Sequence, residues 1–200
     1  MASEAEKIVE LYQRHAQAWA CERGNNLFET PWLDRFLALI PRGAAIVDIG
    51  CGSGQPIARY FIEKGHDVTG VDSSAAMIDI CTGHFPGQKW IVADMRTLSL
   101  GRSFGGILAW DSYFHLCPED QRRMFPIFRT HAAPNAALMF TSGDMHNEAI
   151  GDFRGEPLYH ASLDEAEYRA LLDNSGFDVV SHVVEDQNCG GHTIWLAQLR

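Results

Sequence analysis

A short glycine-rich segment, IVDIGCGSGQP at positions 46–56, constrains the fold of this chain more than any other feature. An apolar run passes through Asp48, and glycines then follow at every second position, as Gly50, Gly52 and Gly54. Glycine adopts positive φ readily and lets other groups approach the backbone, so this spacing is typical of a tight turn. Apolar side chains then recur at helical spacing. The segment therefore predicts a strand, a bare turn and a helix, with a small molecule held against the turn.

Strands and helices alternate along most of the remaining sequence. Such alternation predicts an α/β fold, with a doubly wound, mainly parallel sheet covered by helices on both faces. Candidate strands occupy positions 44–49, 68–71, 90–93, 105–110 and 136–141. Two final strands, at 177–185 and 192–199, lie too close for a helical crossover, and they predict a C-terminal antiparallel hairpin in a seven-stranded sheet.

The length of 200 residues suits a single domain that spans positions 1–200. Within it, residues 1–40 predict a helical cap or lid, and residues 41–142 predict a cofactor-binding half. Residues 143–200 predict a substrate loop, a helix and the hairpin. The segment 142–161 lacks regular periodicity, so we expect it to be irregular and to contact the substrate.

Composition narrows the classes of partner. The net charge of −10 opposes binding to nucleic acid or to an anionic membrane. No apolar stretch approaches the roughly 20 residues of a membrane span, and the first residues do not resemble a signal peptide. Five scattered cysteines without a CxxC pair favour reduced thiols in the cytoplasm. The histidines lack metal-binding spacing, so no metal site is predicted.

Two kinds of ligand suit a glycine turn between a strand and a helix. A dinucleotide requires the spacing G-x-G-x-x-G/A, but Gln55 occupies the third position and Gly54 comes one residue early. A carboxylate such as Asp48 at roughly 5 Å from a phosphate would also cost about 3 kcal/mol at an effective dielectric constant near 20. S-adenosylmethionine has no phosphate and carries an ammonium and a sulfonium, so a nearby acid attracts it.

Four segments resemble the class I S-adenosylmethionine-dependent methyltransferases: VDIGCGSG, VTGVDSS, IVADMRTL and GGILAWDSYFHL. The resemblance covers about residues 30–200, and its later part is similar to small bacterial members. It implies that Asp48 and the glycine turn hold the methionine portion, that Asp72 binds the ribose hydroxyls and that Asp94 binds the adenine amino group. The cofactor-binding residues that it implies are Asp48, Gly50, Cys51, Gly52, Gly54, Gln55, Asp72, Ser73, Met77, Asp94, Met95 and Trp110.

Methyl transfer mainly requires alignment of the nucleophile with the methyl group, and a general base helps when the nucleophile carries a proton. Asp111 and His115 are four residues apart, so they would share a face if this turn is helical. Asp111 would then orient the imidazole and raise its pKa. The alternative is that His115 only packs or caps. We expect a small acceptor to lie between Trp110, Tyr113 and His115 on one side and His146, Tyr159 and His160 on the other.

The sequence favours a methyltransferase acting on a small molecule of unidentified structure. A nicotinamide-dependent oxidoreductase is the second hypothesis, against which Gln55 and Asp48 both count. A binding module that keeps the fold without catalysis is the third. Neither the atom that is methylated nor the oligomeric state follows from the sequence.

Overall fold

The computed structural model describes residues 4–200. Residues 1–3, which belong to the predicted N-terminal cap, lie outside the described residues. The helices are α1 (Glu4–Arg23), α2 (Thr30–Ala38), α3 (Ile57–Glu63), α4 (Ala75–His84), α5 (Pro118–His131) and α6 (Glu165–Asn174). The strands are β1 (Ile46–Ile49), β2 (Val68–Asp72), β3 (Lys89–Val92), β4 (Phe104–Ala109), β5 (Ala132–Ser142), β6 (Asn147–Phe153), β7 (Glu156–Ser162), β8 (Phe177–Asp186) and β9 (His192–Leu199).

Seven of the strands form one sheet in the order β3-β2-β1-β4-β5-β9-β8. Strands β1 to β5 are mutually parallel, whereas β9 runs antiparallel to both β5 and β8. The predicted fold class is therefore confirmed, including its C-terminal hairpin. The strand order changes direction between β1 and β4, and their carboxyl ends open a crevice of the kind that binds ligands in α/β sheets.

Alternate residues of the central strands supply two apolar cores, one on each face of the sheet. In β4 and just after it, Ile107 and Ala109 pack in one core, and Leu108 and Trp110 pack in the other. The first core also contains side chains of α5 and α6, and the second contains side chains of α2 and α3. Successive side chains of a strand point to opposite faces of the sheet, and this alternation continues to Trp110 just after β4.

The segment predicted to be irregular, 142–161, is largely a β-hairpin, so that prediction was wrong. Strands β6 and β7 pair antiparallel as a separate two-stranded sheet. Their turn places Arg154 and Gly155 at φ values of 59° and 83°. Six of the seven β6 residues are exposed. Strands without a buried face lack the alternating apolar pattern that identifies strands in a sequence, so their backbone pairing was not visible there.

Candidate active site

The glycine turn after β1 is bare because side chains from distant segments pack directly against it. Gly50 and Gly52 have φ values of +79° and +53°, which other residues rarely adopt. A Cβ atom on Gly50 would lie 2.1 Å from the Ser112 Cβ, and one on Gly52 would lie 2.9 Å from the Trp19 ring. The Ser112 hydroxyl donates to the Ile49 carbonyl at 2.7 Å, which joins the turn after β4 to the end of β1.

A cavity of about 870 Å³, partly open to solvent, lies beyond the carboxyl ends of β1, β2 and β3, with α1 along one side. An adjoining cavity of about 410 Å³ lies on the other side of the glycine turn. Together they bring together all twelve predicted cofactor-binding residues. The larger cavity is lined by Gly50, Gly52, Asp72, Ser73, Met77, Asp94 and Met95. The smaller is lined by Asp48, Gly50, Cys51, Gly54, Gln55 and Trp110.

Two carboxyl groups flank the turn, of which Asp48 is buried and Asp72 is partly buried. Asp72 accepts hydrogen bonds from the backbone N–H groups of Gly52 at 3.0 Å and Ser74 at 2.8 Å. Burial nevertheless raises the pKa of Asp72 to about 6. Burial, together with the charge of Asp72, raises the pKa of Asp48 to about 7. Both shifts show that the ionised forms of these acids are disfavoured where they lie, and a positive ligand group beside them would offset that cost.

Asp94 is held differently from the other two acids. Its carboxylate accepts from Nε and Nη2 of Arg96 and caps the short turn Met95–Thr97. This contact with Arg96 lowers the pKa of Asp94. The side chain lines the larger cavity while its charge is already balanced, so only its remaining lone pairs are available for an adenine amino group.

The smaller cavity is lined by groups that complement an amino acid. The Trp110 indole N–H is buried and has no hydrogen-bond partner among the described residues. Asp48 lines the same cavity. An unpaired donor and an acid match the carboxylate and the ammonium of an amino acid. The same two acids, Asp48 and Asp72, would repel the pyrophosphate of a dinucleotide.

A third cavity, of about 920 Å³ and more open to solvent, lies next to the other two. His115, Phe114 and His160 form part of its wall, and the ring centroids of the two histidines are 4.9 Å apart. Trp19 and Asp111 line all three cavities. A molecule in the third cavity would therefore meet a cofactor at these two residues.

The hydrogen bonds of His115 fix its tautomer. Its Nδ1 atom lies 2.7 Å from the Tyr159 carbonyl, which can only accept, so Nδ1 carries the proton. Its Nε2 atom, 2.9 Å from the Tyr12 hydroxyl, then accepts from Tyr12. Burial lowers the pKa of His115 to about 4. The imidazole is therefore neutral near pH 7.

Asp111 does not orient His115, contrary to the prediction. The turn is a 3-10 helix that covers only Tyr113–His115, so positions 111 and 115 do not share a helical face. Asp111 instead bonds His192 Nε2, with distances of 2.9 Å to Oδ1 and 3.0 Å to Oδ2. His192 was missed because its partner lies 81 residues earlier in the chain. Its position at the start of a strand beside two glycines was the only signal.

Three residues predicted to contact the acceptor lie elsewhere. Tyr113 is fully buried in the core between α5 and the sheet, with its ring centroid 5.5 Å from that of Phe140, because the 3-10 turn directs it inward. His146 is exposed before β6 and does not line the third cavity. Trp110 faces the smaller cavity and the second core.

Tyr159 has a supporting role instead of lining the third cavity. Its hydroxyl donates to Glu148 at 2.6 Å, and its backbone carbonyl holds His115. Of the six predicted acceptor contacts, the structure thus brings only His115 and His160 to this cavity. The hairpin contributes through its backbone as much as through its side chains, which the sequence does not show.

Two further features of the described part of the chain bear on function. Within residues 4–200, no group of three or more His, Cys, Asp or Glu side chains is arranged to hold a metal ion. None of the helices in this range is long and apolar enough to cross a membrane.

Comparison with known proteins agrees with this geometry. Residues 46–135 match the methyltransferase domain family. A 1,6-didemethyltoxoflavin-N1-methyltransferase from Burkholderia thailandensis, solved with its acceptor and S-adenosylhomocysteine, superposes with a TM-score of 0.74 at 18% identity. That match covers 100% of this chain and 91% of the other. The family match covers a little under half of the chain, and the whole chain shares the fold of class I S-adenosylmethionine-dependent methyltransferases.

Among curated proteins, a malonyl-[acyl-carrier protein] O-methyltransferase of Pectobacterium atrosepticum is 27% identical over 54% of this chain and 43% of its own length. A dTDP-4-amino-2,3,4,6-tetradeoxy-D-glucose N,N-dimethyltransferase of Saccharopolyspora spinosa is 26% identical over 64% of this chain and 50% of its own. The chain thus spans about half the length of these relatives. The two act on different acceptors, one through oxygen and one through nitrogen, by their names.

Proposed function

We propose that this chain transfers the methyl group of S-adenosylmethionine to a small-molecule acceptor. The observation that supports it most directly is that the cofactor-sized cavity and the third cavity meet at Trp19 and Asp111. A methyl donor in the cofactor-sized cavity and a nucleophile in the third cavity would face each other there. Such alignment accounts for much of the rate enhancement of a displacement reaction.

In this proposal the residues of the cofactor site bind different parts of S-adenosylmethionine. Asp48 and the Trp110 indole N–H bind the ammonium and carboxylate of the methionine portion, and Asp72 binds the ribose hydroxyls. The bound cofactor supplies an already activated methyl group, so the protein need not generate a strong electrophile. The remaining residues exclude water and orient the acceptor.

His115 is the first candidate for contact with the acceptor. It is neutral, its Nδ1 proton is fixed by Tyr159, and its Nε2 lone pair points to Tyr12. An acceptor hydroxyl or amine that displaced the Tyr12 hydroxyl would donate a hydrogen bond to Nε2. We therefore expect His115→Ala to lower turnover with little change in cofactor affinity.

A small acceptor also agrees with what surrounds the third cavity. The walls of this cavity come from α1, the turn after β4, the β6–β7 hairpin and the start of β9. These four elements surround a space of about 920 Å³, which is enough for a small molecule. The curated relatives with a sugar acceptor or an acyl-carrier acceptor support a substrate with a small reactive group. The unpaired thiols of all five cysteines support a cytoplasmic location.

Calorimetry followed by an activity screen tests the proposal. S-adenosylmethionine and S-adenosylhomocysteine should both bind, and NAD and NADP should give no heat. Formation of S-adenosylhomocysteine should then be followed with a library of small alcohols, amines, carboxylic acids and thiols. Binding of NAD alone would favour the oxidoreductase. Binding of S-adenosylmethionine, with turnover only on a macromolecule, would overturn the small-acceptor assignment.

A further inference from the structure

Asp111 is held in a conformation that an aspartate adopts only when its surroundings enforce it. Its φ of +46° lies in the left-handed region. Its backbone N–H donates to the Thr141 hydroxyl at 2.9 Å, and that hydroxyl donates to Asp111 Oδ1 at 3.2 Å. These contacts place the carboxylate where the three cavities meet.

His192 is a double hydrogen-bond donor in this arrangement. Its Nδ1 lies 2.6 Å from the Cys189 carbonyl, so Nδ1 carries a proton. Its Nε2 lies within 3.0 Å of both oxygens of Asp111, so Nε2 donates when that carboxylate is ionised. The ring is then an imidazolium. It packs between Trp110 and Phe28, with centroid distances of 5.5 and 5.9 Å.

The charged groups around His192 agree with a cationic ring. The pKa of His192 is raised overall. Burial alone would lower it, but this effect is outweighed by the hydrogen bond and charge of Asp111, by the hydrogen bond to the Cys189 carbonyl and by the charge of Glu29. Glu29, at the start of α2, is itself buried and paired with Arg23 of α1. Glu185, at the end of β8, lies on the same cavity wall.

The third cavity is lined by more acidic side chains than lysine and arginine side chains. Asp111, Asp144 and Glu185 line it. On this wall His192 pairs with Asp111 and Arg23 pairs with Glu29, so Asp144 and Glu185 give the cavity its surplus of negative charge. Among the described residues that line it, there is no lysine. A cationic acceptor is therefore favoured over an anionic one.

Resting on the proposed function, we propose that the acceptor is an amine, that Asp111 is the catalytic residue that takes its proton, and that His192 is the positioning residue that holds Asp111. The ammonium of the acceptor first pairs with Asp111. An N–H bond breaks and an O–H bond forms on Asp111, which leaves the lone pair on nitrogen. That lone pair forms the new N–C bond as the C–S bond breaks and its electrons stay on sulfur. The proton then leaves Asp111 for solvent.

The acceptor class is tested by calorimetry on protein saturated with S-adenosylhomocysteine. Cyclohexylammonium is compared with cyclohexanol and cyclohexanecarboxylate, which have the same ring. We expect the ammonium to bind at least about tenfold more tightly than either, and Asp111→Asn to remove that preference. Equal binding of the three probes, or a preference for the carboxylate, would overturn the amine assignment. Failure of S-adenosylhomocysteine to bind would instead overturn the proposed function, so the two failures are distinguishable.

The role of His192 is tested by the pH dependence of cyclohexylammonium binding in the same complex. In His192→Ala, the pH at which binding is half lost on acidification should rise by about one unit, because a neighbouring positive charge is removed. His192→Gln keeps a donor but no charge and should recover part of the affinity but not the pH midpoint. His66→Gln is the matched control, because His66 also bonds a backbone carbonyl but lies before β2, at the other end of the sheet.

A purely structural histidine would give a different result. His192→Ala would then weaken binding equally at every pH, and His192→Gln would give no recovery. A midpoint in His192→Ala that matches the parent protein would overturn the positioning role. Thermal unfolding of each variant, with and without S-adenosylhomocysteine, separates loss of the site from loss of the fold. A variant that does not fold is replaced by His192→Asn under the same criteria.

Discussion

Asp48 and Asp72 are two acids that the fold buries side by side, although burial disfavours their charged forms. A buried pair of this kind persists when a positive ligand group balances it. Asp72 is also fixed by two backbone N–H groups, so its oxygens point in defined directions. We therefore expect each acid to contribute to cofactor binding in a measurable and separable way.

Replacement of Asp72 should weaken the cofactor site. Asp72→Ala removes an ionised acceptor of two ribose hydroxyls, so the affinity for S-adenosylhomocysteine should fall by about 2–3 kcal/mol, or roughly 30–150-fold. Calorimetry measures the change. Asp67→Ala is the matched control, since Asp67 precedes the same strand at its other end and is paired with Arg102 on the surface. Unchanged affinity in Asp72→Ala would mean that the ribose is bound elsewhere.

The affinity for S-adenosylhomocysteine should rise with pH. Asp48, with a pKa of about 7, is protonated at pH 5 and cannot attract the ammonium, and it ionises as the pH rises through 7. Asp72, with a pKa of about 6, ionises earlier in the same direction. Binding should therefore strengthen between pH 5 and 8, with release of protons that buffers of different ionisation enthalpy reveal.

Asp48→Asn provides the comparison for this pH dependence. The variant keeps the shape of the side chain but cannot ionise. Only the pH dependence contributed by Asp72 should then remain, with its midpoint at lower pH than in the unmodified protein. Because the two acids interact, the midpoints describe the pair. A flat pH profile in the unmodified protein would show that neither acid faces the ammonium.

Helix α1 lines the larger cavity, the proposed cofactor site. The Gln13 side-chain oxygen accepts from the Ser74 hydroxyl at 3.0 Å and from the Ala76 N–H at 3.1 Å, which joins α1 to the start of α4. Elsewhere on the same helix, Tyr12 bonds His115 and Trp19 covers Gly52. The helix thus contacts cofactor and acceptor cavities together.

Loss of the Gln13 contacts should speed dissociation of S-adenosylhomocysteine. Two neutral hydrogen bonds of about 1 kcal/mol each correspond to a rate increase of up to roughly 30-fold in Gln13→Ala. Stopped-flow dilution measures the rate. Gln17→Ala, one turn later on the same exposed face, should leave it unchanged. Equal rates in both variants would indicate that α1 does not retain the cofactor.

Among the secondary-structure elements, the strands with one or two buried faces could be predicted from the sequence, whereas the β6–β7 hairpin could not. The strand ends at Asp72 and the turn at Gly50 followed from apolar runs and glycine spacing, both local signals. The β6–β7 pairing rests on backbone hydrogen bonds between exposed residues. The direction of Tyr113 also depended on a 3-10 turn, which the spacing of Asp111 and His115 does not distinguish from an α-helical turn.

For the whole molecule, the net charge of −10 sets which partners approach it. Like charge opposes phosphate backbones, so a labelled RNA or DNA duplex should show no binding at physiological ionic strength. Fluorescence anisotropy measures this, with a basic nucleic-acid-binding domain as the positive control. Binding that weakens steeply with salt would instead indicate a local basic surface and a macromolecular acceptor.

The residues predicted to bind the cofactor gather around two adjoining cavities, whereas most of those predicted to contact the acceptor do not line the third cavity, and the reason is topological. Most of the predicted cofactor residues lie at or just after the carboxyl ends of parallel strands, so one rule about strand ends collects them. The acceptor cavity combines α1, the hairpin and β9, which only the tertiary fold brings together. The pairing of Asp111 with His192 across 81 residues is the clearest case.

The separate β6–β7 sheet has a consequence for how this chain diverges from its relatives. The hairpin is joined to α1 by ion pairs, in which Glu156 bonds Arg14 and His15, and Arg154 bonds Glu22. A change of hairpin sequence therefore disturbs α1 before it disturbs the central sheet. In an alignment of homologues, positions 14, 15 and 22 should covary with positions 154 and 156. Acceptor specificity would then be inherited as a helix and hairpin together, while the strands beneath them are conserved for the methyl donor.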